Sequence, residues 1–260
     1  MAKHKWNAYP HPEKKYSYPG DALKKAWEGL HAGDREPFPR DAELQDAWRQ
    51  YHAGNYADAV EMGLKHGLAG YTVANKAMTI YATYLEKKEA AKLKLLEEVM
   101  QRAEEAMKKD AKNPNAHYLY AYAAGRYSQS ISILKALAQG YAGKIKSALD
   151  AALKLEPKHA DAYIALGAYH AEIIDKVGAM VGGLTYGAKK GASIEHYEKA
   201  VKLAPKSPIA HMEYADGLMM LFGDDKIKEA AALYEKAANM EARDAVEKLD
   251  IETAREELEE

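Results

Sequence analysis

The chain has 260 residues, no cysteine, and 37 basic against 39 acidic residues, which leave a formal net charge of −2. These totals exclude disulfides and thiolate metal sites, and they give no electrostatic basis for nucleic-acid binding, which favours a basic surface. No run of 18 apolar residues occurs in the sequence, so we predict no membrane span.

The first 40 residues differ in composition from the rest, because five of the nine prolines lie there together with several aromatic residues. Proline at this density prevents long helices, so we expect one short helix, from Asp21 to about Leu30. The aromatic residues argue against disorder and favour an arm packed along the rest of the chain. The alternative is that the arm occupies a binding groove.

No apolar segment follows the basic N-terminus, so we predict no signal peptide. The expected location is cytoplasmic, or periplasmic if the chain is a processed form.

From Asp41 onward the residue pattern is helical, and no stretch shows the alternation of a strand. A first helix is expected to end at Gly54-Asn55, where glycine allows the left-handed turn that joins it to a second helix over 57–67. Further helices are expected from 71 to about 86 and over 89–109. Short helices joined by tight turns predict a series of helical hairpins.

The stretch 113–205 contains the same residue pattern twice, and a third copy begins after it. Its two units close on Leu-Glu-Pro at Pro157 and on Leu-Ala-Pro at Pro205. Equivalent alanines lie 46 and 48 residues apart, at Ala116, Ala162 and Ala210. A fixed period of this size, built from helices, is typical of a helical solenoid. The last unit is expected to end near 240, and the acidic helix over 241–260 would cap the open end.

The unit at 160–205 carries the residues of a known family. They are Tyr163, Leu166, Gly167, Ser193, Tyr197, Ala200 and Pro205. In this spacing the chain resembles tetratricopeptide repeat (TPR) proteins over roughly 41–240. The resemblance implies an all-α fold, a right-handed α-solenoid of TPR-like hairpins. More loosely, the chain is similar to TatT-type helical proteins associated with TRAP transporters and to uncharacterised bacterial TPR proteins.

Two neighbouring units are longer than the family's usual 34 residues. The extra material lies at 126–143 and 171–190. Because the two units adjoin, we expect both segments on the same side of the solenoid, where they would wall or cover a groove.

In this family the inner helix of each hairpin lines a concave groove. Aromatic residues, Met and Arg are enriched in the cores of interfaces. The alternative for several of the Tyr and Met residues is packing between hairpins. The resemblance implies partner- or ligand-binding roles for Trp48, Tyr51, Tyr118, Tyr122, Arg126, Tyr127, Ile164, Glu172, Met212, Asp216 and Met219, with Thr72 and Lys76 at less regular inner positions.

No pattern in the sequence indicates catalysis, a metal or a cofactor. The glycines of 178–185 approach the spacing of a phosphate-binding loop, but Leu184 stands where the lysine is required and no strand precedes it. The ten histidines form no metal-binding pair. We therefore expect a non-enzymatic scaffold that binds a peptide or protein in its groove. The alternative is a carrier for a small apolar or amphipathic ligand, held in a cavity that the two extra segments enclose.

Overall fold

The computed structural model describes residues 6–259, in which thirteen α-helices and no strand occur. The helices are α1 (Ala22–Leu30), α2 (Ala42–His52), α3 (Tyr56–Lys65), α4 (Tyr71–Ile80), α5 (Glu89–Lys109), α6 (Pro114–Ile131), α7 (Ile133–Ala138), α8 (Tyr141–Leu155), α9 (Ala160–Tyr186), α10 (Lys190–Leu203), α11 (Pro208–Phe222), α12 (Ile227–Ala238) and α13 (Ala245–Glu259). Short 3₁₀ turns and a π-helical turn, Tyr81–Leu85, complete the order.

Consecutive helices pack as hairpins, and the hairpins stack on their neighbours. The pairs are α2 with α3, α4 with α5, α6 with α8, α9 with α10, and α11 with α12, while α7 stands between α6 and α8. The predicted all-α solenoid is confirmed. Helix α13 packs on α12 and α11, and it also reaches α2 at the opposite end of the chain. The solenoid therefore closes on itself.

The motif that opens the repeated units is a helix start. Asn113 caps α6 by accepting hydrogen bonds from the backbone N–H groups of Asn115 and Ala116, and Pro114 occupies the first turn. Proline is favoured there because its fixed φ suits the helix and it lacks only an N–H that has no helical partner. His159 caps α9 in the same way, by accepting from the N–H of Ala162. Asp21 precedes α1 as expected, but its side chain makes no capping hydrogen bond.

The Gly and Tyr residues that carry the family resemblance pack against each other. Tyr197 of α10 is only 1% exposed, and its ring lies directly against Gly167 of α9. A Cβ at Gly167 would lie 2.7 Å from Cε1 of that ring. The missing side chain therefore lets neighbouring helices approach closely, which fixes how this hairpin packs.

The two extra segments pack on each other. Residues 126–143 form the end of α6, all of α7 and the start of α8, and residues 171–190 form the second half of α9 and the turn into α10. Helix α7 packs against α9. Leu137 joins Ile173 and Ile174 of α9 in one apolar cluster.

The N-terminal arm crosses the starts of α6 and α9 and contacts the middle of α4. The carbonyl of Gly33 accepts a hydrogen bond from the N–H of Asp161 on α9, at 3.1 Å. Glu36 accepts from Nδ2 of Asn115 on α6, and Asp34 pairs with Lys76 of α4. The arm therefore covers the end of the solenoid at which α6 and α9 begin.

Candidate functional site

A cavity lies at the centre of the solenoid, bounded by the inner helices α2, α4, α6, α9 and α11 and by α13. The space open to the centre of a water molecule is about 170 Å³. A single water needs roughly 10–15 Å³ on this measure. The cavity is mostly apolar and partly open to solvent, so it has room for an organic molecule.

One wall of the cavity comes from the two extra segments. Ile133, Ala136 and Leu137 of α7 line it, together with Ile145 of α8 and Ile173 of α9. These side chains offer no hydrogen bonds, so their attraction for a ligand is the removal of apolar surface from water. The material that distinguishes this chain from a regular repeat protein is thus placed against the cavity.

The facing wall is rich in tyrosine. Tyr118 and Tyr122 lie one turn apart on α6, and their rings stack with centroids 5.7 Å apart and planes 14° apart. Tyr84 donates a hydrogen bond to Oδ1 of Asp250 on α13, at 2.6 Å. Burial raises the pKa of Tyr84, Tyr118 and Tyr122. Their hydroxyls therefore remain protonated at neutral pH and can act as donors.

Arg126 supplies a half-buried positive charge at this wall. Its Nη2 donates to Glu213 of α11 at 2.7 Å, and its Nη1 donates to Gln129 at 3.2 Å. Its guanidinium lies 5.4 Å from the centroid of the Tyr122 ring. Burial disfavours the charged form, but Glu213 raises the pKa of Arg126 well above its ordinary value. Among residues 6–259, no hydrogen-bond partner exists for its Nε, which leaves one buried donor beside the cavity.

Glu172 lies beside this pair on α9 and accepts a hydrogen bond from Nε2 of Gln129 at 2.5 Å. Burial raises the pKa of Glu172 to about 7. The carboxyl therefore holds a proton for part of the time at neutral pH. The cavity consequently combines an apolar wall with a small polar region that both donates and accepts hydrogen bonds.

Toward the N-terminal arm the space narrows and becomes more polar. Here the space open to the centre of a water molecule is about 80 Å³, and it lies among Asp34, Lys76, Asp161 and Asp250. Burial opposes the charge of Lys76, but Asp34 raises its pKa. Burial also raises the pKa of Asp161 to about 6 and that of Asp250 well above its ordinary range. Because the raised pKa values favour the protonated carboxyl groups, the polar end carries less negative charge than the number of its carboxyl groups suggests.

Six of the eleven predicted binding residues line the cavity, namely Tyr51, Tyr118, Tyr122, Arg126, Ile164 and Glu172. That they bind a partner or ligand stays a prediction. The inner-helix positions of the central units thus face the lumen, as the family register implies.

The other five lie elsewhere. Trp48 is 2% exposed and packs edge-on against Trp27 of the arm. Tyr127 donates to Glu97 of α5 at 3.2 Å and lies outside the cavity lining. In the last unit, Met212, Asp216 and Met219 pack toward α12 and α13, and Asp216 accepts a hydrogen bond from Tyr234.

Sequence reasoning missed Tyr84, Asp161 and Asp250, which also line the cavity. Tyr84 lies in the π-helical turn after α4, where helical register is lost. Asp250 lies on α13, and only the return of that helix to the first hairpins brings it inside. Within the described range, no group of three acidic or histidine side chains is arranged to hold a metal ion. In the same range, no helix is both long and apolar enough to cross a bilayer.

The stacked hairpins with packed Gly and Tyr residues define a tetratricopeptide-like helical repeat protein, a class that typically acts through binding surfaces. The crystal structure of TTC0263, a thermophilic TPR protein of Thermus thermophilus, is similar to this one with a TM-score of 0.58. The similarity covers 82% of this chain and 97% of that one at 16% sequence identity, which bears on the fold alone.

Residues 66–260 match the family described as "Regulator of microtubule dynamics protein 1-3", and the chain belongs to this family. The match includes both extra segments and α13. No curated protein sequence matches the chain. The TPR resemblance is confirmed by the similar structure, while the looser likeness to TatT-type proteins stays a prediction.

Proposed function

We propose that the protein binds a small apolar or amphipathic molecule in its central cavity. The observation that carries this proposal is the closure of the groove. Helix α13 returns to the first hairpin, and the arm contacts the starts of α6 and α9, so both restrict the route of an extended peptide along the groove. What remains is a cavity whose lining is mostly apolar.

The chemistry of the walls suggests how such a ligand would lie. Its apolar part would pack on the α7–α9 wall beside Leu137 and Ile173. Burial of about 200 Å² of apolar surface contributes roughly 5 kcal/mol before the costs of binding. The polar end of the ligand would face Arg126 and Glu172, which both line the cavity. This arrangement favours an elongated molecule with one polar end over a fully polar one.

Fluorescence titration with a dansyl-labelled undecanoic acid tests the proposal. Ala168 lines the cavity on α9, so A168F fills part of the space. We expect wild-type protein to bind the probe saturably and A168F to bind it roughly tenfold or more weakly, because overpacking removes room. A232F, at an exposed alanine of α12, is the matched control and should bind as wild type does. Equal affinity in all three proteins would place the probe outside the cavity.

Native mass spectrometry of the purified protein gives an independent measurement. A small molecule that co-purifies with wild type and is lost from A168F supports the carrier function. Mass spectra that show no bound small molecule, together with a titration that does not saturate, would count against the carrier function.

A second candidate is a protein-interaction scaffold, favoured by the repeat fold and by the family description, which refers to microtubule dynamics. Affinity capture with Y122A and R126A tests whether a protein partner uses the cavity, and unchanged capture would exclude that surface. Co-sedimentation with polymerised tubulin tests the partner that the family description suggests.

A further inference from the structure

The second half of α9 exposes large apolar side chains to solvent. Met180 is 76% exposed, Val181 is 49% exposed and Leu184 is 85% exposed. Leu134 of the neighbouring α7 is 57% exposed. We call these four residues the apolar tip. Within the described chain, Leu184 and Met180 are the two most exposed large apolar side chains.

The backbone holds the tip outward. Gly178 interrupts α9 with φ 80° and ψ 158°, a conformation that favours glycine, and the helix then continues to Tyr186. On the inner side, Ile173, Ile174 and Leu137 fix α9 and α7 to each other. The same two helices therefore contribute the cavity wall on one side and the apolar tip on the other.

The charge around the tip is positive although the whole chain carries −2. Segments 132–149 and 176–194 contain six lysines and no acidic residue. Three of the six form ion pairs or carbonyl contacts: Lys176 with Asp175, Lys146 with Asp150, and Lys190 with the carbonyl of Leu221. The others, Lys135, Lys144 and Lys189, are exposed, and none pairs with an acidic group of the described chain.

We propose that the apolar tip docks on the surface of an anionic lipid bilayer. Met180 and Leu184 would enter the interfacial region, while Lys135, Lys144 and Lys189 face the headgroups. Lysine is depleted in the cores of protein–protein interfaces, whereas lysine beside exposed apolar side chains is typical of segments that lie on membranes.

Docking there would bring the α7–α9 wall of the cavity close to the bilayer, because the same two helices carry the apolar tip. That consequence rests on the proposed ligand-binding function. The docking itself does not, because it requires only the tip and its lysines.

Vesicle flotation with the full chain tests the proposal. The vesicles are phosphatidylcholine alone, or phosphatidylcholine with about 30% phosphatidylglycerol, used in about 0.15 M salt. We expect flotation with the anionic vesicles only. The double variant M180D/L184D should weaken flotation with the anionic vesicles about tenfold or more, because the exposed apolar groups are replaced by negative charges that the anionic lipid repels. The matched control is L64D with L68D, which are 38% and 37% exposed at the α3–α4 turn, and it should float as wild type does.

A second variant, K135E/K144E/K189E, checks the electrostatic part. We expect it to lose flotation with the anionic vesicles, while circular dichroism stays that of wild type. Absence of flotation by wild type, or equal loss in the tip variant and its control, would overturn the proposal. A168F should float normally even where it no longer binds the dansyl probe, so failure of the docking and failure of the ligand site are separate results.

Discussion

Replacing Asp34 by asparagine removes the partner of a buried charge and tests how the arm is held. Asp34 is 1% exposed, pairs with Lys76, and lies 2.9 Å from Nδ1 of His31. Removing one partner of a buried pair costs about 3–5 kcal/mol, because the other charge is left without compensation. Asp161 also favours the charge of Lys76. It can lose its proton in the variant and offset part of this loss, so we expect a decrease of about 3 kcal/mol in the free energy of unfolding.

Urea unfolding followed by far-UV circular dichroism measures this change. D150N makes the same chemical substitution in an exposed pair, whose partner Lys146 lies 2.6 Å away. Exposed pairs of this kind contribute about 0.3–0.5 kcal/mol. A double variant, D34N with K76M, should recover stability relative to D34N, because it removes the unpaired charge. If D34N and D150N lose the same amount, below about 1 kcal/mol, the buried pair does not hold the arm to α4.

Two further predictions concern packing and pH. G167A should cost about 1–3 kcal/mol because its Cβ would meet the ring of Tyr197. G125A, which has no atom within 4 Å of the new Cβ, should be neutral or stabilising by up to about 1 kcal/mol. Thermal melts separate the two, and an equal shift would contradict the packing argument. Burial raises the pKa of Glu172 to about 7, so this carboxyl binds a proton more tightly in the folded protein than in the unfolded chain. The contribution of Glu172 to stability should therefore fall as the pH rises from about 5 to 7, and the urea midpoint of E172Q should rise relative to that of wild type over this range. An unchanged difference between the two midpoints would refute the assignment.

The hairpins and the two lengthened units could be predicted because their signals are local. Asn113 and Pro114 mark a helix start within two residues, and the spacing of Tyr118, Tyr122 and Arg126 places all three on one face of α6. The same register predicts that Met212 and Met219 face the groove. In the structure they pack toward α12 and α13 instead. Asp244 meets His52 across 192 residues of chain, and no periodic pattern encodes such a contact. The cavity's central residues were therefore predictable, while its closure and its polar end were not.

The contacts that the start of α13 makes with the first hairpin and the N-terminal arm change how the chain should unfold. In an open solenoid each repeat contacts only its neighbours, so unfolding can begin at either end and stop partway. Here the pair of His52 with Asp244 at 2.8 Å, and the bond from Tyr9 to the carbonyl of Ala245 at 3.0 Å, join what would be the two weakest units. Neither terminal unit can fray without breaking the other's contacts. This solenoid should consequently unfold as one cooperative unit, with backbone amides of α2 and α13 exchanging as slowly as those of the central hairpins.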